Sequence, residues 1–124
     1  MAAIRAIPKK LLIHSATIYR VAGEDKWGNE TLEEGTELRH VRMEPSSKVA
    51  RDKNNAEVQL AASLIYDCRN SRPAGMKFME DDILLFLGQM YRVQTVELLY
   101  DDSKPHHYEM GLVRYAKDKH KGDI

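Results

Sequence analysis

Residues 81–96 constrain the fold most, because an apolar run is followed by Gly88 and then by an alternating run. The short apolar stretch 83–87 is typical of a buried strand. Gly88 can adopt the positive φ that a tight turn requires. A second strand then places Tyr91, Val93 and Thr95 on one face and Arg92 and Gln94 on the other. The stretch predicts a β-hairpin against which the other strands are laid.

The rest of the chain predicts further strands and little helix. Residues 11–21, 31–45, 58–70 and 107–115 each have β character and end in polar or proline-containing turns. The alternation slips near Arg39, which predicts a bulge. Leu60, Ala62, Leu64, Tyr66 and Cys68 are expected on one face of their strand. These patterns predict an all-β fold, a small antiparallel β-barrel or sandwich.

Residues 46–57 are polar and locally basic, which predicts one long exposed loop. Alanines within residues 48–63 would also permit a short helix there. We expect residues 1–10 to form a loose arm, 11–115 the single barrel domain and 116–124 a charged tail that frays.

Composition excludes several classes of function. The 124 residues carry a formal net charge of zero, which excludes a globally basic surface for nucleic acid. A single cysteine, Cys68, excludes an intrachain disulfide framework and a cysteine-based zinc site. The apolar run at residues 11–13 is too short for a signal-peptide core, so we expect synthesis in a cytoplasm.

No residue pattern indicates an enzyme, a cofactor or a metal site. His106 and His107 are adjacent and would point to opposite faces of a strand, so they do not form a metal-binding pair by themselves. His14 and His40 are interpreted as ordinary histidines, and Cys68 as a half-buried thiol. The acids at residues 80–82 are interpreted as polar residues that guard the entry to a buried strand.

The charges are unevenly spread along the chain, and blocks of like charge are usually solvated surface. Arg5, Lys9, Lys10 and Arg20 precede the first acid, whereas residues 24–37 hold six acids against one lysine. Opposite patches of this kind would fix register if the protein packs against its own copies. Trp27 lies on a polar tip and is a candidate interface residue, although it could equally fold back on its own hairpin.

Several segments, taken in order over residues 8–114, resemble a known family. They are Pro8 to Ser15, Trp27-Gly28-Asn29, His40 to Ser46, Lys53-Asn54-Asn55, Tyr66 to Ser71 and Gly88 to Val93. The chain is similar to the minor capsid proteins of tailed phages and prophages of Gram-positive bacteria. The resemblance implies a small barrel that joins a homo-oligomeric ring beneath the portal, as an adaptor or stopper that helps to retain packaged DNA. It also implies the virion as location, with portal, adaptor and tail proteins as partners.

Within that role, we expect the loop 46–57 to face the ring axis or the neighbouring ring. Lys48, Arg51 and Lys53 would there meet DNA phosphates in a contact that is independent of sequence. Two alternatives remain open. One is a tail-side completion or terminator subunit, and the other is a small nucleic-acid-binding barrel that uses aromatic side chains and a basic groove.

Overall fold

The computed structural model describes residues 5–115. It contains one 3₁₀ helix, Lys9–Leu11, and ten strands. The strands are β1 His14–Tyr19, β2 Val21–Glu24, β3 Glu30–Leu32, β4 Thr36–Pro45, β5 Val49–Arg51, β6 Glu57–Gln59, β7 Ala62–Asp67, β8 Ile83–Phe86, β9 Gln89–Asp101 and β10 Lys104–Arg114.

Six of these strands close into an antiparallel barrel in the order β1-β4-β7-β10-β9-β8. Inward-facing side chains fill its interior and form a single apolar core. The fully buried core residues are Leu38, Val41, Leu64, Tyr66, Leu84, Val93, Met110 and Leu112. The remaining strands form two separate two-stranded hairpins, β2–β3 and β5–β6. The prediction of an all-β fold built on a small antiparallel barrel is confirmed.

The β8–β9 hairpin forms as the sequence predicts. Phe86 pairs with Gln89, so Leu87 and Gly88 make a two-residue turn. Both turn residues have positive φ, 49° for Leu87 and 80° for Gly88. Two successive residues with positive φ match the twist of the flanking strands, which is the usual geometry of a tight hairpin.

The face assigned to Thr95 is wrong. Val93 pairs with Leu112 and Thr95 with Gly111, so Gln94 is an extra residue that bulges from β9. The bulge shifts the alternation by one. Val93 is buried in the core, but Thr95 lines a cleft on the outer wall of the barrel.

The bulge predicted near Arg39 is confirmed, and it falls on His40. His14 pairs with Val41 and Ser15 with Arg39, which leaves His40 unpaired with a φ of 58°. The hydroxyl of Ser71 donates a hydrogen bond to the His40 carbonyl and holds the bulge in place.

Residues 46–57 are neither a long loop nor part of a helix, contrary to expectation. Strands β5 and β6 pair through Val49–Gln59, Ala50–Val58 and Arg51–Glu57. A hairpin arises here because a tight turn at residues 52–56 joins the two short strands. The following residues behave as predicted, since Leu60, Ala62, Leu64 and Tyr66 are all buried. Cys68 lies just after the end of β7 and is half-buried.

Part of the predicted N-terminal arm is anchored to the barrel. The Ile7 amide donates to Asp67 Oδ2 at 2.7 Å, and Asn70 Nδ2 donates to the Ile7 carbonyl at 2.7 Å. His106 Nε2 lies 2.7 Å from the Arg5 carbonyl. Because a carbonyl oxygen only accepts, this ring nitrogen carries the proton. Residues 1–4 of the predicted arm and the predicted tail 116–124 lie outside the described residues.

Candidate assembly surfaces

Two hairpins stand outside the barrel sheet and are the most distinctive surface features. We name residues 21–32 the Trp27 hairpin and residues 49–59 the Lys53 hairpin. An isolated two-stranded hairpin is at best marginally stable in water. Each therefore depends on the local contacts of its turn and on contacts with the barrel.

The tip of the Trp27 hairpin is held by one carboxylate. Asp25 Oδ1 accepts hydrogen bonds from the amides of Trp27 and Asn29, each at 2.9 Å. The Asp25 amide donates to the Asn29 carbonyl at 2.8 Å, and the Gly28 amide donates back to the Asp25 carbonyl at 3.0 Å. Gly28 supplies the positive φ of 83° that closes the turn.

The Lys53 hairpin repeats this turn residue for residue. Asp52 Oδ1 accepts from the amides of Asn54 and Ala56, each at 2.9 Å. The backbone bonds recur at 3.0 Å, and Asn55, with a φ of 65°, takes the position that glycine holds in the first hairpin. The shared pattern is Asp-Lys-x-Gly/Asn, an aspartate that folds onto its own backbone. The repeat was not among the sequence predictions, although the pattern is visible at residues 25–28 and 52–55.

Trp27 projects from its rigid tip into solvent. Its side chain is 75 % exposed, and Lys26 Nζ lies 4.7 Å from the ring centroid. A large exposed aromatic on a fixed turn loses little conformational entropy when it is buried by a partner. Trp27 therefore does not fold back on its own hairpin, and its role as an interface contact stays a prediction.

The base of the Trp27 hairpin is tied to the barrel through Glu30. Arg92 and the Tyr115 hydroxyl both donate to Glu30 Oε1 at 2.7 Å, and the Arg92 guanidinium lies 4.6 Å from the Tyr115 ring centroid. Burial, together with the hydrogen bond to Glu30, raises the pKa of Tyr115 to about 12. Burial lowers the pKa of Arg92, but the hydrogen bond to Glu30 and the charges of Glu30, Tyr115 and Asp81 together outweigh burial and raise the Arg92 pKa. The hairpin therefore has a fixed base as well as a fixed tip.

The three predicted DNA-facing cations are divided between two places. Arg51 and Lys53 line a cleft at the tip of the Lys53 hairpin, whereas Lys48 lines a second cleft at its base. Arg51 Nη2 lies 3.6 Å from Glu57, and Lys53 Nζ lies 3.6 Å from Asp81. Exposed pairs of this kind contribute little to stability, but they reduce the positive potential that would attract phosphate.

Carboxylates also line the cleft at the base of the Lys53 hairpin. This cleft has a volume of about 400 Å³ and runs between the hairpin and the outer wall of the barrel. Glu44, Glu97 and Glu109 line it together with Lys48. The groove therefore favours a polar or cationic neighbour over a nucleic acid backbone.

A third cleft is apolar and lies near the start of β1. It has a volume of about 310 Å³ and is lined by Ile7, Leu11, Leu12, Arg42, Glu44 and Ile65. Arg42 Nε pairs with Glu44 at 2.9 Å, and Arg42 Nη1 donates to the Leu11 carbonyl at 3.0 Å. Leu11 is 45 % exposed at the rim, and the 3₁₀ helix that carries it also presents Lys9 and Lys10. The cleft could not be predicted from the sequence, because its residues come from three separate segments of the chain.

The histidines contact neighbouring backbone or ring atoms, and the cysteine is half-buried. His14 Nδ1 accepts from the Met43 amide at 3.0 Å, and His106 Nδ1 lies 2.8 Å from His107 Nδ1. Burial raises the pKa of the Cys68 thiol, which makes the reactive thiolate scarcer. Within residues 5–115, no group of three or more histidine, cysteine or acidic residues is arranged to hold a metal ion.

A closed barrel that presents two rigid arms and an exposed tryptophan is a module suited to protein–protein assembly. A family model described as minor capsid protein matches residues 8–112. Because the match spans most of the chain, the protein belongs to the minor capsid protein family, as its resemblance implies. Membership gives it a structural role in the virion. A search of the curated proteins finds no match. In the part of the chain described, no helix is both long and apolar enough to cross a membrane.

Proposed function

We propose that this minor capsid protein is a subunit of a ring at the head–tail junction of a tailed phage. It sits below the portal, helps to retain packaged DNA and gives the tail a surface on which to dock. The observation that supports this role best is the pairing of a closed barrel with two preformed arms. A closed sheet leaves no free strand edge in the barrel, so contacts between subunits fall to the arms and to side-chain surfaces.

The charge distribution supports assembly with protein neighbours. Residues 21–37, which include the Trp27 hairpin, hold six carboxylates and one lysine, although the whole chain is neutral. Segregated charge on a neutral protein orients neighbouring subunits and disfavours wrong pairings. We assign Trp27 the role of an interface contact within this arrangement.

We further propose that the Lys53 hairpin faces the DNA channel or the adjacent ring. Lys48, Arg51 and Lys53 would supply a phosphate contact that weakens as salt concentration rises. The ion pairs of Arg51 and Lys53 with carboxylates make this contact weak, which suits a channel through which DNA must later pass. Charge reversal at all three positions should increase DNA loss from filled heads, and unchanged retention would contradict the contact.

Electron microscopy of particles from a phage that lacks this gene tests the proposed role. Filled or emptied heads without tails, beside free normal tails, are the expected result. Normal heads with tails of aberrant length would instead favour the tail-side completion or terminator subunit. Intact infectious particles would contradict a structural role at the junction. A salt-dependent shift of oligonucleotide mobility by the isolated protein would then favour the nucleic-acid-binding barrel.

A further inference from the structure

We infer that the Trp27 hairpin of one subunit docks into the apolar cleft of a second copy of this chain, so that neighbouring subunits join head to tail. The inference deepens the proposed ring and rests on it. The cleft is lined by Ile7, Leu11, Leu12, Arg42, Glu44 and Ile65, and Arg42 forms an ion pair with Glu44 there. Trp27 would enter this cleft, while Glu24, Glu33 and Glu34, on or beside its hairpin, meet the lysines at the rim.

The Trp27 hairpin has a fixed backbone, but its largest apolar side chain is left exposed to solvent. Asp25 fixes the backbone of the tip, and Glu30 fixes the base through Arg92 and Tyr115. Trp27 is nevertheless 75 % exposed, an arrangement that leaves a large apolar surface in water. Burying one aromatic side chain removes about 150–250 Å² from water, which is typical of an interface anchor.

The cleft offers the complementary surface. Its walls are mainly aliphatic, and Leu11 and Ile13 beside it are 45 % and 64 % exposed. Arg42 is held in place by Glu44 and by the Leu11 carbonyl. A guanidinium beside an inserted indole adds a favourable cation–π contact.

Charge favours this pairing over docking into the cleft at the base of the Lys53 hairpin. Among the described residues, Lys9 and Lys10 form no ion pair at the rim of the apolar cleft. In the same part of the chain, the exposed acids Glu24, Glu33 and Glu34 on or beside the Trp27 hairpin also form none. The cleft at the base of the Lys53 hairpin is lined by three glutamates against one lysine, Lys48, and would repel the acidic hairpin.

Within one chain, the base of the Trp27 hairpin and the apolar cleft lie at opposite ends of the β1–β4 strand pair. The Trp27 hairpin leaves the β1–β4 strand pair where Ile18 faces Thr36, while the cleft lies beyond the other end, where His14 faces Val41. The four residue steps from His14 to Ile18 separate the two ends by about 13 Å, and Trp27 is 75 % exposed, so it does not occupy the cleft of its own chain. A contact between two different patches is heterologous, and such contacts generate rings when the rotation closes.

Disulfide trapping in purified particles tests the contact. In a Cys68→Ser background, Lys26→Cys beside Trp27 is combined with Lys10→Cys at the rim of the cleft. Mild oxidation should give a ladder of cross-linked multimers. Lys53→Cys combined with Lys10→Cys is the matched control, because Lys53 holds the same position in the second tip, and it should remain monomeric. Particles that contain normal amounts of the first variant but give no ladder would overturn the inference, and so would equal ladders from both pairs.

Charge reversal gives an independent test of the contact between the Trp27 hairpin and the apolar cleft. Lys9→Glu with Lys10→Glu should reduce incorporation into particles at least tenfold, and Glu33→Lys with Glu34→Lys in the same chain should restore it. Normal incorporation of the first pair would overturn the inference. If the protein is found at the junction but the cysteine variants give no cross-links, only this inference is contradicted. If a phage that lacks the gene forms intact infectious particles, the proposed function is contradicted.

Discussion

Replacing Asp25 with alanine should loosen the tip that presents Trp27. The substitution removes the acceptor of two amide hydrogen bonds, from Trp27 and Asn29, both 2.9 Å long. At about 1 kcal/mol net for each bond, the tip loses about 2 kcal/mol. Since about 1.4 kcal/mol is a factor of ten, the ratio of ordered to open tip should fall about 30-fold.

Amide hydrogen exchange followed by NMR measures this change directly. Protection of the Trp27 and Asn29 amides should fall about 30-fold in Asp25→Ala, while the amides of the barrel strands keep their protection. Asp52→Ala is the matched control, because it removes the same two bonds from the Lys53 hairpin. It should leave the Trp27 and Asn29 amides protected, whereas Asp25→Ala should expose them to exchange and impair particle assembly. Exchange at Trp27 that changes less than threefold would refute the reasoning.

Two further substitutions test the barrel itself. In Gly111→Ala the new Cβ would lie 2.5 Å from Thr95 Oγ1, so the free energy of unfolding, measured in urea, should fall by about 1–3 kcal/mol. Gly23→Ala is the control, because a Cβ at Gly23 meets nothing within 4 Å. Equal losses of stability in the two variants would contradict the packing around Gly111. Burial raises the pKa of Asp82 despite the ion pair with Arg20. The contribution of Asp82 to the free energy of unfolding is therefore complete below about pH 4, the pKa of an aspartate in the unfolded chain, and is lost as pH rises through the pKa of Asp82 in the folded protein. The stability of the native protein relative to Asp82→Asn should therefore fall from pH 4 towards neutrality, and a rise would contradict the sign.

The sequence is most informative where local chemistry and burial agree. Gly88 permits the turn of the central hairpin, and the apolar run before it becomes the buried strand β8. The broken alternation near Arg39 also predicts the bulge, because a period of two cannot be kept through an extra residue. The second bulge, at Gln94, is hidden because the residues around it alternate as a regular strand would.

The sequence is least informative where structure depends on turn geometry or on distant partners. The sequence of residues 46–57 predicts a loop, because β5 and β6 have only three residues each and no alternating pattern of buried apolar residues. The turn held by Asp52 is the remaining local signal of a hairpin. The basic residues of this segment suggest a free cationic surface, yet Arg51 lies beside Glu57 across the hairpin and Lys53 beside Asp81 from a distant turn. The apolar cleft is likewise assembled from residues far apart in the chain.

A cryo-electron microscopy reconstruction of the neck of intact virions tests the central claim most directly. We expect it to show a ring of six-stranded barrels between portal and tail at a single vertex, with each Trp27 hairpin packed against the Lys9–Leu11 segment of the next subunit. Barrels distributed over the whole shell, or located only within the tail, would contradict a place at the head–tail junction.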